Sequence, residues 1–98
     1  MELDAYAEDH GANELLSAFP NPSDGKQPVY VVVRLPEGME LVTLRVSDAT
    51  GRLIKEETVA RKVSIIEVDA AELVPGLYAC GLYTEELQVA STKFEVIR

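Results

Sequence analysis

An all-β antiparallel sandwich is the fold class this sequence predicts, and three observations carry that prediction. Short β-branched and aromatic runs recur at roughly ten-residue spacing, divided by Gly, Pro, Asp and Asn turn residues. Within the runs, apolar residues alternate with polar ones, the period of a half-buried strand. Strand-like and helix-like segments do not alternate as βαβ units would require, so a parallel α/β sheet is not expected. With 98 residues the chain supports one domain with a single core. About seven short strands on that scale predict a sandwich of immunoglobulin-like type.

The elements follow in order. Met1 to Glu14 carries Glu2, Asp4, Glu8, Asp9 and Glu14, with no Lys or Arg. Its apolar content is mostly Ala, too little to offset an ordering entropy of roughly 1–2 kcal/mol per residue. It reads as a flexible or weakly helical acidic linker (1–14), and the domain as 15–98. Leu16 to Phe19 reads as a short strand running into Pro20-Asn21-Pro22. The two prolines fix φ near about −65° and remove two backbone donors. They also push Phe19 and Asn21 away from the helical region. Asp24-Gly25 adds turn chemistry. This stretch is expected to stiffen the border between linker and domain and to hold the linker away from the sandwich.

Pro28 to Leu35 is the first long strand. Its nearly continuous apolar run suggests burial on both faces or an aromatic exposed on one. Pro28 is confined to the strand's start or an edge. Pro36-Glu37-Gly38 is a turn. Leu41 to Asp48 alternates cleanly, with Val42, Leu44 and Val46 on one face and Thr43, Arg45 and Ser47 on the other. Asp48-Ala49-Thr50-Gly51 signals a hairpin, with Gly51 suited to positive φ. Arg52 to Val59 is the return strand, and Val63 to Val68 the next. Asp69 with Glu72 resembles a capping box, but Pro75-Gly76 limits any helix to one turn. Leu77 to Tyr83 is a strand, Thr84-Glu85-Glu86 a hairpin tip, and Leu87 to Ile97 the last strand. In it Phe94 and Val96 share one face, Lys93, Glu95 and Ile97 the other. Tyr78 stands where a sandwich tucks a tyrosine hydroxyl against backbone.

Composition excludes several functions. A net charge of −8 argues against nucleic acid, since phosphate neutralisation needs Lys and Arg. It argues equally against binding to an anionic membrane surface. No apolar run is long enough to span a bilayer, and no secretory signal opens the chain; a larger parent protein is expected upstream of Met1. Cys80 is the one cysteine, so no internal disulfide forms and the compartment is not readable.

Catalysis finds little support. His10 is the one histidine and lies in the acidic segment, where a solvated side chain is the simplest reading. One cysteine and one histidine cannot build a zinc cluster. Cys80 lies mid-strand with no base beside it, so it reads as a small hydrophobe. No Gly-rich phosphate loop is present. Calcium oxygens are conceivable from Asp4, Glu8 and Asp9, or from Asn21 and Asp24. Neither set has EF-hand spacing, and linker charge and turn chemistry explain both.

Four stretches follow one another along the chain. They are Phe19-Pro20-Asn21-Pro22-Ser23-Asp24-Gly25, Val46-Ser47-Asp48-Ala49-Thr50-Gly51-Arg52-Leu53-Ile54, Leu73-Val74-Pro75-Gly76-Leu77-Tyr78 and Lys93-Phe94-Glu95-Val96-Ile97-Arg98. In this order and spacing they resemble the C-terminal sorting domain of the type IX secretion system (Por secretion system) of Bacteroidota. The likeness spans about Leu15 to Arg98; no single motif is specific, but the ordered set is.

The resemblance implies an immunoglobulin-like sandwich that acts as an address and not as an enzyme, with no cofactor. A cargo protein fused upstream would carry it through the periplasm. The outer-membrane translocon would recognise it, and a cysteine-protease sortase would usually remove it. The cargo would then be released or attached at the cell surface. The sorting motif would comprise Pro20, Asn21, Pro22, Gly51, Gly76, Tyr78, Lys93, Phe94, Glu95, Val96, Ile97 and Arg98. The terminal stretch Lys93 to Arg98 is the part expected to be read, by strand addition at an exposed edge. One departure is Lys26-Gln27-Pro28, which intervenes before the first apolar strand and predicts that it starts late or lies at an edge. Gly11-Ala12-Asn13 is a small-residue stretch suited to processing. An exposed edge is also a route to a homodimer.

Two other classes compete. An adhesion or carbohydrate-binding module would need exposed aromatics, and the chain has four Tyr, two Phe and no Trp. A non-catalytic accessory module would need a broad apolar patch, for which Tyr30 to Val33 is the candidate.

Overall fold

The computed structural model describes residues 15–98. Seven strands form two antiparallel sheets: β1 (Leu16–Phe19), β2 (Val29–Arg34), β3 (Val42–Asp48), β4 (Leu53–Val59), β5 (Val63–Val68), β6 (Gly76–Thr84) and β7 (Leu87–Val96). One sheet has the order β1-β2-β5, the other β4-β3-β6-β7. The fourth strand therefore stays beside its hairpin partner β3. In an immunoglobulin constant domain it would join the opposite sheet.

Alternation places the core between the sheets. Val29, Val31 and Val33 of β2, Val42, Leu44 and Val46 of β3, Tyr78, Cys80 and Leu82 of β6, and Phe94 and Val96 of β7 all point inward and are buried. Each such side chain contributes roughly 1.5–3 kcal/mol through burial. The apolar run of β2 is thus split by the pleat. Val31 and Val33 are core, while Tyr30 and Val32 sit half-buried on the outer face. The Tyr30–Val33 stretch is therefore not a surface patch as a whole. Its outer-face members instead join Phe19, whose ring lies 5.7 Å from that of Tyr30.

Strand limits agree with the sequence reading to within one residue, and Leu16–Phe19 and Val63–Val68 agree at both ends. Pro28 immediately precedes β2, as its missing N–H requires. However, β2 is the central strand of its sheet, not an edge. Asp69 caps a single 3₁₀ turn, Ala70–Glu72, its side chain accepting from the Ala71 N–H. Gly51 adopts φ +90° in the β3–β4 hairpin.

The β6–β7 hairpin closes through Glu85 and Glu86 alone, both at positive φ (51° and 69°). A two-residue turn of this hand suits the strand twist but favours Asn-Gly. A left-handed non-glycine residue costs roughly 1–2 kcal/mol. The exposed Glu86–Arg45 contact at 3.6 Å offsets only a few tenths of that. Glu86→Gly is therefore expected to raise stability by about 1 kcal/mol, measured as a higher urea midpoint at unchanged slope.

Candidate functional site

The four sequence motifs lie at the same end of the sandwich, and each is in direct contact with at least one other. Antiparallel pairing places Asp48 beside Tyr78, Tyr78 beside Phe94 and Gly76 beside Val96. The Tyr78 and Phe94 rings stack with centroids 5.3 Å apart and an interplanar angle of 15°. The Tyr78 hydroxyl donates to the Val74 carbonyl, forming the tyrosine corner expected of a sandwich at this position.

The Pro-Asn-Pro stretch does not project from the domain. Both Phe19–Pro20 and Asn21–Pro22 are cis peptides, and the segment lies inside the fold, between β1 and β2 and against β7. This overturns its reading as a stiff border that holds a linker away: β1, a paired strand, precedes it. Asn21 clasps β7 with its carboxamide. Its Nδ2 donates to the Lys93 carbonyl at 3.1 Å, and its Oδ1 accepts from the Glu95 N–H at 3.0 Å. The Ser23 N–H then donates to the Glu95 carbonyl at 2.7 Å, and the Ile97 N–H donates to the Ser23 carbonyl at 2.8 Å. Ser23 thereby forms a parallel bridge with Val96.

The chemistry of this clasp follows from the residue types. Neither proline carries an N–H, so the short segment has few backbone donors for a ladder. A primary amide supplies both a donor and an acceptor, and the Asn21 side chain stands in for a missing peptide unit. The four backbone groups of Lys93, Glu95 and Ile97 named above are all paired. The last strand is therefore not a free edge over Lys93–Ile97, contrary to the sequence expectation.

Arg98 and Gly25 complete the end of the molecule. The Arg98 Nη2 donates to the Ala70 carbonyl at 2.7 Å and to the Ala71 carbonyl at 3.3 Å. This ties the chain end to the 3₁₀ turn. The guanidinium lies over Gly25, at φ +78°, where a Cβ would stand 2.4 Å from the Arg98 Nε. Ser23 is fully buried, and its Oγ accepts from the Gly25 N–H at 3.0 Å. Ser23 and Gly25 fall within the first quoted stretch, Gly25 read there as a turn residue, but neither was placed in the sorting motif. Asn between two prolines, followed by a small hydroxyl residue and Gly, was the available signal.

Facing outward from this assembly are Lys93, Glu95 and Ile97, with Pro22 and Asn21 alongside, all exposed. Phe94 and Val96 are core, at 0% and 1% exposure. Gly51 stands at the exposed hairpin tip and pairs only locally, its N–H donating to the Asp48 carbonyl at 2.9 Å.

The Asp48 carboxylate organises that tip. It accepts from the Thr50 hydroxyl, the Thr50 N–H and the Arg52 N–H. The Thr50 hydroxyl, then the Arg52 amide, hold its carboxyl below the usual 3.8. A depressed folded-state pKa stabilises the fold above the unfolded value, and that contribution is lost as pH falls through the folded one. Asp48→Ala is expected to flatten the acid limb of a stability-versus-pH profile below about pH 4, read by urea titration.

No catalytic constellation emerges among the described residues. Burial pushes the Cys80 thiol up to about 12, far from a reactive thiolate. No group of three metal-ligating side chains occurs among the described residues. Asn21 is committed to β7, and the Asp24 Oδ1 accepts from the Lys26 N–H at 2.8 Å, so turn chemistry accounts for both. His10, the acidic set Asp4, Glu8 and Asp9, and Gly11-Ala12-Asn13 lie outside the described residues. A concavity of about 610 Å³ is an open groove between β4 and β5 lined by Glu57–Arg61 and Val63–Ile66. No helix among the described residues is long and apolar enough to cross a membrane.

No curated protein matches the chain closely enough to count as a relative. A family model described as a secretion system C-terminal sorting domain matches residues 17–97. That span runs from β1 to Ile97 and takes in every contact at the motif-bearing end except those of Arg98. The chain belongs to the family of C-terminal sorting domains that mark a fused cargo protein for export by type IX secretion.

Proposed function

We propose that the secretion machinery reads the motif-bearing end of the folded sandwich as an assembled surface, not as a free terminal strand. The observation that carries this is the Asn21–Ser23 clasp, which already pairs the edge of β7 from Lys93 to Ile97. Strand addition there would first have to displace it. What remains available is the outward row Lys93, Glu95 and Ile97, flanked by Asn21, Pro22 and the Gly51 hairpin. The buried motif members Tyr78, Phe94 and Val96 hold that row in place.

The reader is the outer-membrane translocon, and the address does no chemistry of its own. After passage through the periplasm, a sortase removes the domain and leaves the cargo at the cell surface or in the medium. The cut falls N-terminal to Leu16, because a protease needs extended, unpaired backbone and β1 is paired with β2. Mass spectrometry of the released cargo's C-terminus checks this; an end within or beyond β1 refutes it.

The surface reading is tested with the chain fused to a folded reporter, in a bacterium that carries this secretion system. Lys93→Glu, Glu95→Lys and Ile97→Asp are combined, since all three side chains point away from the core. Export is expected to fall at least tenfold while circular dichroism and melting of the domain stay unchanged. Full export of the folded triple variant overturns the proposal.

A further inference from the structure

The edges of the two sheets are not equally protected. An unguarded edge presents unpaired N–H and C=O groups that template another strand. β1 is only four residues long and ends at Pro20. β7 is closed by Asn21 and Ser23. β4 carries Lys55, Glu56 and Glu57 and faces a register shift in β3. β5 carries one charged residue, Glu67, against three on β4, and has none of the other devices. It pairs with β2 without a register shift and contains no proline. Its outward side chains Val63 and Ile65 are 57% and 63% exposed.

Hydrogen-bond parity shows which groups are open. The Leu35 N–H donates to the Lys62 carbonyl. Bonded pairs in an antiparallel ladder recur at every second residue. Lys62, Ser64, Ile66 and Val68 therefore turn their backbone groups toward β2. Val63, Ile65 and Glu67 turn theirs away, to the open edge.

We infer that this edge pairs with β5 of a second copy of the chain, antiparallel about a two-fold axis at Ile65. The charge pattern is the reason to choose a second copy over another strand. Basic Arg61, in the bend two residues before β5, leads into the edge, apolar Val63 and Ile65 fill its middle, and Glu67 and Asp69 end it. Asp69 is still extended, at φ −75° and ψ 95°. With Ile65 opposite itself, Arg61 falls opposite Asp69 of the second copy and diagonal to its Glu67. Ile65 meets its own copy on the axis, and Val63 falls opposite Glu67 and diagonal to Ile65 of the second copy. Every off-axis pair occurs twice, as an isologous interface requires. The same register sets the free backbone groups of Val63, Ile65 and Glu67 opposite one another in bonded pairs. The two three-stranded sheets then become one of six. β5 lies on the opposite side of the sandwich from β7, so the clasp is left untouched.

The test is sedimentation equilibrium of the whole chain up to about 1 mM, with amide exchange at low and high concentration. A dimer is expected, with protection of Val63, Ile65 and Glu67 that grows with concentration. Ile65→Lys sets two like charges on the axis and is expected to abolish it. Arg61→Glu is expected to weaken it about tenfold, because each repulsive pair is counted twice. The double substitution Arg61→Glu, Glu67→Arg restores the diagonal pair but not the one opposite Asp69, and is expected to recover part of that loss. All these side chains face outward, so melting reports whether each variant stays folded. A chain that stays monomeric overturns the inference and leaves the edge to a strand from another protein. A dimer protected elsewhere than β5 overturns it as well.

Discussion

Phe94→Ala is expected to remove about 3–5 kcal/mol of folding stability, the largest effect of any single truncation considered. Phe94 is fully buried, stacks on Tyr78 and sits one residue pair from the clasp. Its loss leaves a cavity bounded by two sheets that cannot collapse independently. A domain this size has a total stability on the order of 5–15 kcal/mol, so this loss removes a large share of it and the unfolded population is expected to rise at 37 °C. Guanidinium unfolding gives the difference directly. A loss below about 1 kcal/mol, the range of surface substitutions and mild repacking, would mean that Phe94 is not a core residue. The consequence for signalling is specific. Deleting the last six residues removes Phe94 and Val96 along with the outward row, so such a truncation tests folding and recognition together. Substitutions at Lys93, Glu95 and Ile97 separate the two.

Asn21→Ala is expected to cost about 1–3 kcal/mol, two hydrogen bonds at about 0.5–1.5 kcal/mol each. The local effect is larger than the global one. Without the carboxamide, the Lys93 carbonyl and the Glu95 N–H return to solvent and the segment loses half its attachment to β7. Amide exchange at Glu95 and Ile97 should accelerate well beyond that of Tyr78, which lies inside the sheet. Asn21→Asp distinguishes hydrogen bonding from packing. A carboxylate accepts but does not donate, so the contact to the Glu95 N–H survives while that to the Lys93 carbonyl is lost and replaced by repulsion between oxygens. Equal exchange rates in Asn21→Asp and the native chain would refute the peptide-mimic role. If export depends on the assembled surface, both variants lose export in proportion to the opening of the clasp.

These expectations show how far local chemistry reaches. The strand Leu41 to Asp48 was legible because Val42, Leu44 and Val46 alternate with polar residues, and period two is sufficient to set its buried face. Tyr78 was legible because Pro75-Gly76 stops the preceding turn and starts a strand at a corner. The β2 run was ambiguous, since Tyr30, Val31, Val32 and Val33 are all apolar and only the pleat divides them between core and surface. The hairpin tip was legible as a turn at Glu85-Glu86, but its hand was not, because neither residue favours positive φ. At the site, the members of the motif were visible as four separate stretches. Their convergence was not.

By itself the sequence determined the fold class, the order of the strands, the limit of one helical turn before Pro75-Gly76 and the core-facing residues of β3 and β7. Those properties depend on side-chain period, turn residues and β-branching within a few positions. The tertiary structure alone decided what the Pro-Asn-Pro stretch does. Asn21 meets Lys93 and Glu95 across separations of 72 and 74 residues, and no local propensity encodes a partner so distant. Two prolines signal that backbone donors are missing; only the packed sheets show which edge the asparagine side chain closes in their place.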